Sequence, residues 1–284
     1  MTASTTPTTA LIHASGVDLH YVEAGSPDSP DLLLLHGGLV STSEIWDRTP
    51  ISYGPYVAGL AERFHVIAPD VRGSGRSGSG DARLSISLLA DDVAALNERL
   101  GLRRPAVAGF SLGGMIATVL GIRHPGVASA IVNDAGYDTL DPEAPSLSML
   151  RQAFGGSPEA TAADPEAAAA FFAADPEMAP LFELMKSDQD AAGGPGSWRG
   201  YLERFFDSAS AWPGFGYADL ATIEVPTLVL VGDRDHFCPV EQGVTTYRHL
   251  ARGELAVLPD TGHVITPEKI ATTASFVERA GSTR

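Results

Sequence analysis

Five short apolar runs recur along the chain, and they restrict the fold more than any other feature. They are "DLLLLHGG" from residue 31, "FHVIAPD" at 64–70, "PAVAGF" at 105–110, "ASAIVND" at 128–134 and "PTLVLVGD" at 226–233. A strand with one wet face alternates apolar and polar residues, whereas an unbroken run of this length marks a strand covered on both faces. Each run stops at Gly, Pro or Asp. Between them lie stretches of helical period at 87–102, 111–125 and 241–251, and "ELAVLPD" with a last helix over 267–280 closes the chain. Ahead of them "LIHASGVDLHYVEAG" alternates around a Ser-Gly pair and predicts a hairpin over 11–24 with one solvated face. Buried strands alternating with helices predict a mostly parallel α/β sheet, with helices on both faces and right-handed crossovers.

Residues 136–220 interrupt that order. The stretch "PEATAADPEAAAAFFAADPEMAPLFELMKSD" holds short helical pieces opened by Pro-Glu and stopped by Asp-Pro, and "GSWRGYLERFFDSASAW" predicts a further amphipathic helix. No strand pattern occurs, so the segment reads as a helical cap inserted between two core strands. The core is then 10–135 and 221–284, after a Thr-rich disordered leader over 1–9. The cap carries 14 acidic against 4 basic residues, −10 of the net −16 of the 284-residue chain. Such a charge argues against nucleic acid or an anionic membrane as partner. One cysteine, Cys238, excludes an intrachain disulfide and a thiolate metal cluster. The start has no apolar stretch of signal-peptide length, and "LLLL" is far too short to span a bilayer. A cytoplasmic protein is expected; oligomeric state leaves no signature.

Chemistry enters at "AVAGFSLGGMIA", residues 106–117, where Ser111 stands between Gly109 and Gly113. In a chain with 30 glycines the bare Gly-x-Ser-x-Gly pattern is weak evidence. Its context is stronger, because an apolar strand precedes it and a helix follows. A serine on so sharp a strand-to-helix turn is lifted to the carboxyl edge of the sheet, and the glycines let strand and helix pack closely. A hydroxyl is a poor nucleophile at neutral pH and needs a base. None of the histidines has ligand spacing such as His-Glu-x-x-His, no phosphate-binding Gly-x-x-x-x-Gly-Lys run occurs, and no metal or cofactor is expected.

Five motifs together resemble the α/β-hydrolase superfamily, in its capped esterase, lactonase and haloperoxidase-like group: "LLLLHGG", "DVRGSGRS", "GFSLGG", "VLVGDRD" and "DTGH", in that order. The resemblance covers about residues 10–280. It implies an eight-stranded sheet with the cap after strand 6, Ser111 as nucleophile, His263 as base and Asp235 as acid; Asp134 is the rival acid, and Asp233 a turn-former bonding its own backbone. It implies an oxyanion hole from the amides of Leu112 and Gly38, with Leu39 as the alternative to Gly38. His36 is expected to be structural, and the 70–77 loop to be turn chemistry. Among the aromatics and Met of the cap and elbow, Phe110, Phe171, Phe182, Met185, Trp198, Phe205 and Trp212 are candidate pocket residues. The implied activity is hydrolysis of small to medium apolar esters or lactones; C–C bond hydrolysis of ring-cleavage products and ligand sensing with slow turnover are the alternatives. Serine rather than aspartate at the elbow excludes the alkyl-enzyme route. A histidine base must be neutral, so activity is expected to rise with pH through the ordinary histidine range, about 6 to 7.

Overall fold

A computed structural model describes residues 7–38, 54–136, 140–176 and 178–282. Eight strands form one sheet: β1 (Thr8–Ala14), β2 (Val17–Ala24), β3 (Asp31–Leu35), β4 (His65–Pro69), β5 (Ala106–Phe110), β6 (Ala130–Asp134), β7 (Thr227–Gly232) and β8 (Gly253–Leu258). Their order is β1-β2-β4-β3-β5-β6-β7-β8. The pairs β1/β2 and β2/β4 are antiparallel and the other five are parallel. This is the predicted doubly covered sheet. The five apolar runs became β3 to β7, and Leu32 to Leu35 are wholly inaccessible, each removed from water at a gain of about 2 kcal/mol.

The hairpin turns at Ser15 and Gly16, both with positive φ (52° and 78°), as a tight two-residue turn requires. Its first strand starts earlier than the alternation suggests. Thr8 and Thr9, expected in the leader, already pair with Glu23 and Val22; the rest of that leader, 1–6, lies outside the described residues. The pairing is made by backbone groups, so two threonines serve as well as apolar residues on this edge strand.

Helices α1 (Gly54–Ala61), α2 (Ile86–Leu100), α3 (Leu112–Arg123), α8 (Val240–His249) and α9 (Pro267–Ser282) flank the sheet. The insertion folds into α4 (Pro145–Gly155), α5 (Pro165–Ala173), α6 (Ala179–Gly193) and α7 (Ser197–Ser210), followed by a 3-10 turn over Tyr217–Thr222. The Asp-Pro-Glu signal of α5 works as read: the Asp164 carboxylate accepts from the amides of Glu166 and Ala167 at 3.1 Å each, and Pro165 occupies the first helical position. Aromatic rings tie the cap together, with Phe154, Phe172, Phe182 and Phe205 in successive contact. Among the described residues no helix is long and apolar enough to cross a membrane.

Candidate active site

Ser111 sits between β5 and α3 with φ 53° and ψ −117°, a conformation that L-residues rarely adopt. Its amide donates to the Asp134 carbonyl at 2.8 Å, which pins the turn to the end of β6. The flanking glycines are obligatory here. A Cβ on Gly109 would lie 2.1 Å from the Gly113 carbonyl group, and one on Gly113 would lie 2.2 Å from the Leu35 oxygen. Leu112 opens α3, so its amide has no acceptor within the helix and stays available to a ligand.

His263 follows β8. Its Nδ1 is 2.8 Å from Asp235 Oδ2, while Asp235 Oδ1 accepts from the amides of Phe237 and Cys238 at 2.9 and 2.8 Å. Burial alone would raise the Asp235 carboxyl, but His263, the Cys238 amide and Lys269 outweigh it and hold the group below the usual carboxylate range. The imidazole lies between the rings of Phe110 and Phe237, at centroid distances of 4.8 and 5.1 Å. With Nδ1 engaged, Nε2 is the nitrogen left for chemistry. No hydrogen bond joins it to Ser111 in this structure, although both residues line one cavity; such contacts tighten when substrate binds.

Asp134, the other carboxylate considered for the acid, is engaged by other side chains. Its Oδ1 receives Lys269 Nζ at 2.7 Å, both side chains being fully buried, and its Oδ2 is 3.4 Å from the Tyr56 hydroxyl. Burial raises its carboxyl above the ordinary range, with Lys269 and His263 pulling it back. Asp233, expected to bond its own turn, has Arg234 Nε of that turn at 3.8 Å and reaches a second loop as well. Its carboxylate accepts from the Thr261 amide at 3.3 Å and so braces the loop that carries His263.

The loop after β3 is held by His36, which is wholly inaccessible. Its Nδ1 donates to the Gly37 carbonyl at 2.7 Å and its Nε2 accepts from the Val71 amide at 3.0 Å. Both partners are backbone groups of fixed polarity, so the tautomer is set and the ring is neutral. Burial pushes its basicity down, against smaller opposing effects of Asp70 and the Gly37 carbonyl. A trans peptide points its N–H away from its C=O, so fixing the Gly37 carbonyl also fixes the direction of the Gly38 amide. Leu39 lies outside the described residues. The 70–77 loop is internal bracing: Asp70 accepts from the Arg76 amide and lies 2.8 Å from His20 Nδ1, and Arg72 forks onto Asp92 at 2.7 and 2.6 Å.

From the cap, α7 reaches down to the same loop. The Tyr201 hydroxyl donates to the Gly38 carbonyl, and the Phe205 ring fills the place a Cβ on Gly38 would take, 1.9 Å away. Burial pushes the Tyr201 phenol up to about 12, despite a hydrogen bond with Ser74 and the nearby Arg204. The sequence shows Tyr201 only as one aromatic of an amphipathic stripe. Its spacing from Phe205, one helical turn, was the available signal.

A cavity of about 60 Å³ opens over this floor. Gly37, Gly38, Ser111, Phe110, Phe237 and His263 form one side; Ser146, Leu150, Phe154, Phe172, Met178, Leu181 and Phe205 come from the cap. Of the candidate pocket residues, Phe110 and Phe205 line it. Phe171 and Phe182 instead flank Phe172, at centroid distances of 5.3 and 4.9 Å, because neighbouring helical positions diverge by about 100°. Met185 and Trp198 are buried inside the cap, Trp198 against Phe182 and Lys186. Trp198 shares a stripe with Phe205 but stands two turns, about 10 Å, nearer the start of α7. Trp212 is 56 % exposed, its indole bonded to the Phe215 carbonyl at 2.8 Å. Among the described residues no cluster of three or more His, Cys, Asp or Glu could hold a metal ion.

Residues 32–273 match the family model described as "Alpha/beta hydrolase family". The chain belongs to the alpha/beta hydrolase family. Among curated relatives, a 2-hydroxymuconate semialdehyde hydrolase of Pseudomonas sp. (strain CF600) is 28% identical over 94% of this chain and 91% of its own. A bifunctional esterase/perhydrolase of Acinetobacter calcoaceticus is 34% identical over 42% of each. The matches to the first curated relatives span less than half of those proteins' length. Among solved structures, the enol-lactonase from Burkholderia xenovorans LB400 superimposes with a TM-score of 0.71 at 20% identity, over 96% of this chain and 100% of that one.

Proposed function

We propose that this chain is a serine hydrolase cleaving carboxylic esters or lactones of small to medium apolar substrates through an acyl-enzyme on Ser111. The observation that carries the reading is the single cavity in which Ser111, His263 and the Gly37-Gly38 backbone face an apolar wall, with Asp235 holding the far side of the imidazole. In this reading Ser111 Oγ bonds to the carbonyl carbon as His263 Nε2 takes its proton. The carbonyl electron pair moves onto oxygen, held by the amides of Gly38 and Leu112, and Asp235 steadies the imidazolium. Collapse expels the alcohol with the proton from His263; water, deprotonated by the same nitrogen, then releases the acid and restores Ser111. No cofactor takes part. The small cavity volume supports a short acyl group. The described lining is almost wholly apolar, which supports an uncharged acyl or alcohol group there.

The test is turnover of p-nitrophenyl acetate, butyrate and octanoate, with a lactone and a 2-hydroxy-6-oxo dienoate beside them. Short esters or the lactone are expected to turn over, and Ser111→Ala to abolish it. Turnover of the dienoate alone would overturn the substrate class. Saturable binding untouched by Ser111→Ala, without turnover of any substrate, would make the protein a ligand sensor.

A further inference from the structure

The proposed reaction does not use the buried pair behind the triad. Lys269 and Asp134 are both wholly inaccessible and 2.7 Å apart, and neither borders the cavity. Placing two charges in a core is unfavourable unless the site repays it, and apolar residues of similar size commonly serve a fold as well. The position of the pair suggests its use. Asp134 ends β6, and its backbone carbonyl accepts the Ser111 amide at 2.8 Å. Lys269 stands six residues after His263, in the first turn of α9, where its amide donates to Thr266 Oγ1 at 3.3 Å. Its ammonium also lies 4.9 Å from the centre of the Phe110 ring, the ring that packs on His263 and immediately precedes Ser111. Tyr56 closes the cluster from α1, its hydroxyl 3.0 Å from Thr273 and 3.4 Å from Asp134.

We propose that Asp134 and Lys269 are positioning residues whose buried ion pair ties the His263 loop to the Ser111 turn and so sets the separation of base and nucleophile. The two catalytic segments come from distant parts of the chain and meet only at the sheet edge. A displacement of about 1 Å between reacting groups costs on the order of a hundredfold in rate, so a rigid cross-link there has a direct effect on turnover. The inference rests on the serine-hydrolase reading for its kinetic arm only.

The experiment compares Asp134→Asn, Lys269→Met and the double variant, assayed with p-nitrophenyl butyrate beside Ser111→Ala and monitored by amide hydrogen exchange. Asp134→Asn removes the ion pair but keeps an oxygen within reach of the Lys269 ammonium, so its kcat is expected to lie between those of wild type and the double variant, with a lower Tm from the unpaired Lys269 charge. The double variant removes both charges, leaves none unpaired and is expected to fold. Its kcat should fall at least about tenfold with KM within about twofold, and exchange should accelerate at 111–114 and 259–266 while the sheet stays protected. Lys269→Met, which strands Asp134, should show the same kinetic loss with a lower Tm; if it fails to fold, the double variant decides. Wild-type kcat in the double variant, or protection unchanged in both segments, would overturn the tie. Full loss of activity in Asp134→Asn would also overturn it, making Asp134 the acid. If Ser111→Ala is without effect on turnover, the serine-hydrolase reading falls while the exchange arm still judges the tie.

Discussion

The two walls of the cavity are built on different principles. The floor is made of strand ends and loops whose groups are fixed by backbone hydrogen bonds: Ser111 to Asp134, His36 to Gly37 and Val71, and Asp235 to Phe237 and Cys238. The roof is made of helices whose contribution is side-chain volume, with Phe172, Met178 and Leu181 giving shape and no charge. In the proposed function the floor sets which reaction is available and the roof which substrate fits. Directional bonds tolerate no substitution of their partners, whereas apolar packing tolerates exchange at roughly constant volume.

Variants can break this division or sharpen it. The largest effect belongs to the floor: His263→Ala or Asp235→Asn should lower kcat for a p-nitrophenyl ester by about 10³ to 10⁴-fold, with Tm changed by only a few degrees. A matching loss of fold, read by circular dichroism, would mean that these residues are core and not machinery. Next comes the roof. Met178→Ala should shift kcat/KM toward longer acyl chains by about tenfold while leaving the pH profile alone. Trp198→Ala is its counterpart, expected to lower Tm and leave acyl preference unchanged, since Trp198 packs within the cap. Tyr201→Phe removes one hydrogen bond, worth about 1 kcal/mol, and should reduce kcat by no more than about fivefold, because the Gly38 carbonyl loses its hydroxyl partner while His36 still holds the Gly37 carbonyl and with it the Gly38 amide.

The smallest effect is on stability. His36 is held neutral in the fold with its basicity depressed by burial. Above the ordinary histidine range its contribution to stability is complete. As pH falls below about 6.5 the unfolded chain takes a proton that the folded one refuses, so stability declines until the depressed folded value is reached. Thermal melts from pH 7.5 to 5.5 should therefore fall more steeply for wild type than for His36→Gln. Parallel curves would show that His36 is not held in this way.

The same division explains what could be read from the sequence. β3 to β7 were legible because strands covered on both faces leave unbroken apolar runs. The motifs "GFSLGG", "VLVGDRD" and "DTGH" were legible because sharp turns at strand ends restrict residue choice. Asp235 was preferred to Asp134 on its place in "VLVGDRD" alone; Asp134 ends β6 and Asp235 follows β7, and the chain does not say that Lys269, 135 residues away, lies against Asp134. The roof was the least legible part. An amphipathic helix announces an apolar stripe but not which end of it overhangs the cavity, so the stripe alone does not tell that Phe205 borders the cavity while Trp198 packs inside the cap. Phe172 and Phe171 differ only in rotation, and periodicity over a nine-residue helix does not resolve 100° when its other faces are alanine.

The hydroxyl of Tyr201 on the Gly38 carbonyl has a consequence for engineering. Exchange of the insertion for that of a relative would remove the Tyr201 hydroxyl that holds the Gly38 carbonyl. If the Gly38 loop serves the reaction as proposed, such a chimera should lose rate on every substrate alike, and recovering it would require Tyr201 and Phe205 to travel with the core.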